Sequence, residues 1–150
     1  MPEELSAERL QHMQAVLKTV PFAELLGLEL IDASIGSATL RLALRPELTQ
    51  HYGLMHGGAM ASLIDTATAF AIVSQAKQEE QFTTVDLTVN YLRPITKGSA
   101  TCRACVVRAG RRIMTISAEV HDEDHNLAAI ALSTYLMLNS SLGLDGTPNP

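Results

Sequence analysis

Residues 55–73 read MHGGAMASLIDTATAFAIV, and from Gly57 to Gln75 the only ionisable side chain is Asp65. Ala59, Met60, Ala61, Leu63, Ile64, Ala67, Phe70, Ala71, Ile72 and Val73 cover a helix over Gly57 to about Ala76 nearly all round. A helix that is apolar on every side is buried on every side. The fold therefore has to supply something that wraps this segment. The polar run QAKQEEQ marks its exit.

The flanking sequence supplies the wrapping. Upstream, LGLELIDASIGSATLRLAL reads as two strands around DASIGS, followed by a loop, RPELTQHYGLMHGG. Downstream come four strand-like runs, FTTVDLTVNYLRP, GSATCRACVVRAG, RRIMTISAEVHDE and NLAAIALSTYLML. In the first of them Val85, Leu87, Val89 and Tyr91 alternate with Thr84, Asp86, Thr88 and Asn90. RAGRR and HDEDHN carry hairpin-turn chemistry. Near the start, SAERLQHMQAVLKTVP reads as a short amphipathic helix, with Ser6 as N-cap and Pro21 as its stop. The order helix, two strands, buried helix, four strands predicts an α+β fold with a curled, mainly antiparallel sheet around the long helix. One sheet covers one side of a helix, so the other side is expected to meet a partner subunit. The expectation is a single domain over 1–138, with 1–21 as a helical extension and 139–150 as a disordered tail.

Composition narrows the function classes. Of the 150 residues 47% are apolar, 18% charged and 4% aromatic, so the core must be aliphatic. The net charge of −5 argues against a nucleic-acid binder. Met1 to Leu10 is polar and acidic rather than basic then apolar, and Ser62, Asp65, Thr66 and Thr68 interrupt the longest apolar run. No membrane association is expected, and a cytoplasmic location is the default. Cys102 and Cys105 have the spacing of a metal or redox pair, but residues three apart on a strand point to opposite faces. The sequence HDEDH places His121 and His125 around three acids, where a charged turn is preferred over a metal site.

The chemistry concentrates at the helix. The first turn of a helix has unpaired N–H groups and a partial positive charge, and glycines such as Gly57 and Gly58 let a ligand approach the backbone closely. Such a turn suits an anion or a developing oxyanion. Taken alone, it is more often a glycine-rich entry to a helix. Asp65 shifts the balance, because a carboxylate in an apolar segment is costly unless it is paired or solvated in a cleft. It is either a satisfied core Asp or a base or nucleophile in an active cleft.

The run QHYGLMHGGAMASLID, followed by TTVDLTVNYLRP, resembles the hotdog-fold acyl-CoA thioesterases of the 4-hydroxybenzoyl-CoA thioesterase superfamily, most of all the phenylacetate-pathway type. The resemblance spans roughly Leu25 to Leu138. It implies a thioester hydrolase that frees a carboxylic acid and CoA, with no cofactor and no metal. Residue by residue, it places the nucleophile or general base at Asp65 and the backbone N–H donor to the thioester carbonyl at Gly57. It places the amide side chain at Gln50, where many relatives have Asn, and a water-placing hydroxyl at Thr84, with Thr83 adjacent. His56 has two readings. It orients the loop or touches the leaving thiolate, or it caps the helix and packs; the second is preferred because the family's chemistry rests on Gly57 and Asp65.

Gly57 and Asp65 are eight residues apart, about 12 Å along a helix axis. A thioester carbon must lie within roughly 3–3.5 Å of its attacking atom and close to its oxyanion donor. One helix cannot bring both groups to one substrate, but two antiparallel helices across a two-fold axis can. The resemblance implies the same homodimer with two shared sites, and a dimer of dimers beyond it. Arg93, Lys97, Arg103, Arg108, Arg111 and Arg112 are six of the eleven Lys and Arg residues, in a stretch with no acid. They suggest a basic rim for CoA phosphates, with Arg93, Arg111 and Arg112 as candidates, or equally a solvated strand edge. Two other functions are compatible with the sequence. One is an acyl-thioester dehydratase or hydratase using His56 and Asp65, although the Phe-Pro-Gly loop typical of the acyl-carrier dehydratases is absent. The other is a non-catalytic acyl-CoA-binding module.

Overall fold

The long helix predicted from the apolar run is present as Gly57–Gln75 in a computed structural model that describes residues 3–77 and 80–138. In chain order the elements are α1 (Ala7–Lys18), α2 (Pro21–Leu26), β1 (Glu29–Ser34), β2 (Ser37–Ala43), a 3-10 turn (Pro46–Leu48), α3 (Gly57–Gln75), β3 (Gln81–Tyr91), β4 (Ser99–Ala109), β5 (Ile113–His121) and β6 (Leu127–Leu138). The tail predicted over 139–150 and part of the polar exit after α3 lie outside the described residues.

All six strands form one sheet in the order β1-β2-β4-β5-β6-β3, and every neighbouring pair is antiparallel. Strand alternation gives the sheet an inner face that closes on α3: Leu40 and Leu42 of β2, Cys102 and Ala104 of β4, and Ile116 and Val120 of β5 are all fully buried. From the helix, Leu63, Ile64, Ala67 and Ala71 meet them with no exposed surface. Each large side chain so buried contributes about 1.5–3 kcal/mol by leaving water. α3 is also long and apolar enough to cross a membrane by length and composition, and a little over half of that stretch is buried within this fold.

The elements are held where the sequence provides partners. Ser6 caps α1 by accepting the Arg9 N–H at 3.1 Å. α1 ends at Lys18, ahead of Pro21 as expected, and Pro21 itself occupies the first turn of a further helix, α2, where a missing N–H costs nothing. The β1–β2 turn is Ile35-Gly36 rather than the longer DASIGS, with Gly36 at φ +74° and its N–H donated to Ser74 Oγ at 2.8 Å. That bond fastens the turn to the C-terminal end of α3. Arg9 reaches the same end, donating to the Val73 carbonyl at 3.2 Å. A cation there complements the helix dipole.

The two cysteines behave as strand alternation requires. Cys102 is buried on the inner face, and burial pushes its thiol far above the ordinary range. Cys105 is half-buried on the opposite face. HDEDHN is a tight turn in which Asp122 accepts the N–H groups of Asp124 and Asn126.

β3 breaks the pattern. It is the edge strand of the sheet, and it is open along most of its length. A bulge at Val85 interrupts the register between Thr84 and Asp86. Strict alternation would put Thr84 on the face opposite Leu87, Val89 and Tyr91. The extra residue turns Thr84 to the helix side with them, and leaves Val85 60% exposed.

Candidate active site

The site is built at the N-terminus and the middle of α3. At its N-terminus, the Thr49↔Met55 bridge closes the loop of residues 49–55 into a small hairpin. The Met55 N–H donates to the carbonyl of buried Ile95 at 3.0 Å, and the His56 N–H to Leu48 at 2.8 Å. These bonds fix where the helix begins. His56 is the N-cap: its Nδ1 accepts the Gly58 N–H at 2.8 Å. An accepting Nδ1 makes the ring the Nε2–H tautomer.

That bond also separates the two glycines. Gly58, a candidate substrate contact, has its N–H committed to His56. Among the described residues the Gly57 N–H has no hydrogen-bond partner, so it is the free donor of the first turn. Tyr91 of β3 walls it on one side, its hydroxyl donating to the Gly57 carbonyl at 2.7 Å. Gln50 sits in the same hairpin. Its side-chain oxygen accepts the Tyr52 N–H, which leaves its Nε2 as a donor with no partner among the described residues. Gln50 is half-buried.

Two turns further along α3, Asp65 is half-buried. Thr84 donates to Asp65 Oδ1 at 2.9 Å. The bulge at Val85 makes this bond possible and decides between Thr84 and Thr83, since Thr83 stays on the outer face. Tyr135 of β6, directly opposite Thr84 in the sheet, places its hydroxyl 3.2 Å from the same Oδ1 and 2.8 Å from the Asp65 carbonyl oxygen. Sequence reasoning missed Tyr135. The available signal was alternation in LAAIALSTYLML, which puts Ala129, Ala131, Ser133 and Tyr135 on one face; a phenol inside an apolar face needs a partner.

The two groups remain apart. Gly57 touches Tyr91 while Asp65 touches Thr84, seven residues away along β3. Each chain thus carries a free N–H donor at one position and a carboxylate at the other.

The basic residues are not brought together within one chain. The Arg93 N–H bonds the Ala128 carbonyl, and the Arg112 carbonyl accepts the Met137 N–H. Nine residues of β6 separate those contacts, about 30 Å in a strand. Arg111 is adjacent to Arg112, at the end away from Arg93. Lys97 pairs with Asp124 at 3.1 Å, and Arg103 lies opposite Glu119 on the outer face. A cluster in sequence is therefore a scatter around the sheet, because successive antiparallel strands carry neighbours in sequence to opposite ends. Among the described residues no group of three or more His, Cys, Asp or Glu is arranged to hold a metal ion.

Residues 52–129 match the family model of the Thioesterase superfamily, which spans just over half of the chain and includes Gly57, Asp65 and Thr84. The chain belongs to the thioesterase superfamily. This thioester hydrolase is 29% identical over 133 residues to the medium/long-chain acyl-CoA thioesterase YigI of Salmonella typhimurium, covering 79% of this chain and 86% of that one. Its fold superposes on the thioesterase HI1161 of Haemophilus influenzae with a TM-score of 0.82 at 20% identity, over 93% of this chain and 95% of the other. The PaaI protein from the phenylacetic acid degradation operon of E. coli gives a TM-score of 0.81 at 24% identity, over 91% and 97%. The predicted hotdog fold, a curled antiparallel sheet around a central helix, is the fold of this thioesterase.

Proposed function

We propose that this thioesterase hydrolyses acyl-CoA thioesters as a homodimer, with Gly57 of one chain and Asp65 of the other meeting at each of two sites. The observation that carries the reading is the free Gly57 N–H and the Thr84-bonded Asp65 at positions about 12 Å apart on one helix. Neither group is sufficient by itself. The Gly57 N–H, backed by the helix dipole, polarises the thioester carbonyl and stabilises the oxyanion that forms from it. Gln50 Nε2 is a second donor from the same end. Asp65 attacks the carbonyl carbon or takes a proton from the water that does. Thr84 spends its proton on Asp65 and retains lone pairs that can accept from that water.

Two features support the dimer. β3 presents an open edge of 11 residues, which pairs naturally with the same strand of a second copy. The exposed and half-buried part of α3 includes Gly58, Ala61, Ser62, Asp65, Thr66 and Ala69, small enough for another helix to pack closely. Ser62 and Thr66 already donate their hydroxyls to the Gly58 and Ser62 carbonyls, both at 2.8 Å, so covering them strands no donor. On the outer face of the sheet Ile113, Ile130 and Leu132 remain 40–49% exposed, and this patch suits the contact between two dimers. The acyl-CoA assignment is supported by the resemblance to YigI, itself a medium/long-chain acyl-CoA thioesterase. With the basic residues scattered in one chain, a phosphate rim would draw on Arg93 and on Arg111 or Arg112 of different subunits.

The test is release of free thiol from acetyl-, octanoyl-, palmitoyl- and phenylacetyl-CoA by wild type and Asp65→Asn. The substitution keeps shape and removes charge and basicity, so turnover should fall at least about 10²-fold with the fold intact. A folded Asp65→Asn protein with near-wild-type turnover would exclude this mechanism.

A further inference from the structure

Tyr135 is 1% exposed, and its hydroxyl makes three close oxygen contacts. They are Asp65 O at 2.8 Å, Asp65 Oδ1 at 3.2 Å and Thr68 Oγ1 at 2.8 Å. Thr68 Oγ1 is also 2.9 Å from the Asp65 carbonyl oxygen. Two protons must be shared among these contacts, one from each hydroxyl. If Tyr135 donated to Thr68, its lone pairs would face both the Asp65 carbonyl and the carboxylate. If Tyr135 donates to Asp65, the phenol proton lies between Asp65 O and Oδ1 in a forked bond, Thr68 gives its own proton to Tyr135 or to the Asp65 carbonyl, and one unprotonated contact remains instead of two. The second arrangement is the lower in energy, and it aims a hydroxyl dipole at a carboxylate. Burial pushes the Tyr135 phenol up to about 12, so it stays protonated across the range in which a thioesterase works.

Thr84 donates to the same Oδ1 at 2.9 Å. Both side-chain bonds to the carboxylate therefore end on one oxygen, and among the described residues none ends on Oδ2. We propose that Tyr135 is a positioning residue for Asp65: together with Thr84 it fixes Oδ1 and so assigns Oδ2 as the atom that acts on the substrate carbonyl or on water. The forked bond ties the carboxylate to the main chain of its own helix. That restrains rotation of a half-buried side chain whose productive reach is a few tenths of an ångström. The inference rests on the thioesterase mechanism proposed above and deepens it.

Tyr135→Phe removes the hydroxyl and keeps the ring, which packs edge-on against Phe82 with centroids 5.7 Å apart. With the fastest substrate of the acyl-CoA panel, kcat should fall about tenfold while KM stays within about twofold, because orientation and not binding is lost. The same substitution in an Asp65→Asn background should change the residual kcat less than about twofold, since no carboxylate remains to be positioned. If circular dichroism shows Tyr135→Phe unfolded, Thr68→Val carries the test. Valine removes the competing acceptor and leaves Asp65 as the target of the phenol proton, so kcat should stay within about twofold of wild type. Wild-type kcat in folded Tyr135→Phe, equal losses with and without the carboxylate, or kcat lowered more than about twofold in folded Thr68→Val would overturn the inference. An active Asp65→Asn protein would instead remove the mechanism itself, so the two failures are distinguishable.

Discussion

Mixing two inactive proteins should restore activity if each site draws on two chains. One partner is Asp65→Asn. The other is Gly57→Val, for which the structure sets the steric effect. A Cβ at Gly57 would lie 3.4 Å from Tyr91 Cζ and 3.5 Å from its hydroxyl oxygen, so a methyl fits but the branches of valine run into the ring. The bulk also closes the approach to the Gly57 N–H. Each homodimer then has two defective sites. In a heterodimer one site combines both lesions and the other combines neither. Random reassortment makes half of the dimers heterodimeric, each with one good site of two, so about a quarter of wild-type activity should return if the sites act independently. A site contained within one chain predicts none, because every chain in the mixture carries a lesion. The assay is free-thiol release from an acyl-CoA after equimolar mixing, partial denaturation and re-annealing, with exchange verified by native mass spectrometry. Circular dichroism on each parent checks that the valine is tolerated. Folded parents, confirmed exchange and no recovered turnover would refute the shared site, and with it the argument from the 12 Å spacing.

Gln50 can be separated from its loop. Gln50→Glu keeps the oxygen that accepts the Tyr52 N–H but removes the free Nε2 donor, whereas Gln50→Ala removes both. If the amide donates to the thioester carbonyl, both should lower kcat with little change in KM, glutamate at least as severely because its charge opposes an oxyanion; wild-type kinetics in Gln50→Glu would reduce the residue to shaping the turn. The β5–β6 turn offers a pH test. Main-chain N–H donation from Asn126 holds the Asp122 carboxyl below its ordinary value of 3.8. A depressed folded value means the stabilisation is complete above the unfolded value and is lost as pH falls through the folded one. The Tm deficit of Asp122→Ala should thus be constant from neutral pH to about pH 4 and shrink below it, and a deficit that grows in acid would contradict the assignment.

The readable parts of this protein are those set by local pattern. An all-round apolar helix with one carboxylate and a His-Gly-Gly entry announces its own burial and the two positions where polar chemistry concentrates, because both follow from 3.6-residue periodicity and from the chemistry of a helix terminus. Strand existence was equally legible from alternation. The helix that Pro21 opens was not, since proline ends one helix and begins another with equal ease, and only the chain's return toward β1 selects the second.

What stayed hidden depends on register and on distance across the sheet. Thr84 reaches Asp65 because Val85 is an extra residue in β3, and nothing in TTVDLTV distinguishes a bulged from a regular strand. Without the bulge, alternation would pair Leu87 with the helix and turn the threonine out. Tyr135 is seventy residues from Asp65 in sequence, and they meet only because β6 is inserted between β5 and β3. The sheet order that brings those two together also disperses the basic run, since it leads the chain from Arg93 at one end of β6 to Arg112 at the other. Both outcomes follow from one property of antiparallel topology: it makes neighbours of residues distant in sequence and separates residues that are close. In this chain the carboxylate's hydroxyl partners therefore come from β3 and β6, the free N–H comes from the turn that starts α3, and the proposed dimer is the arrangement in which one thioester would meet both.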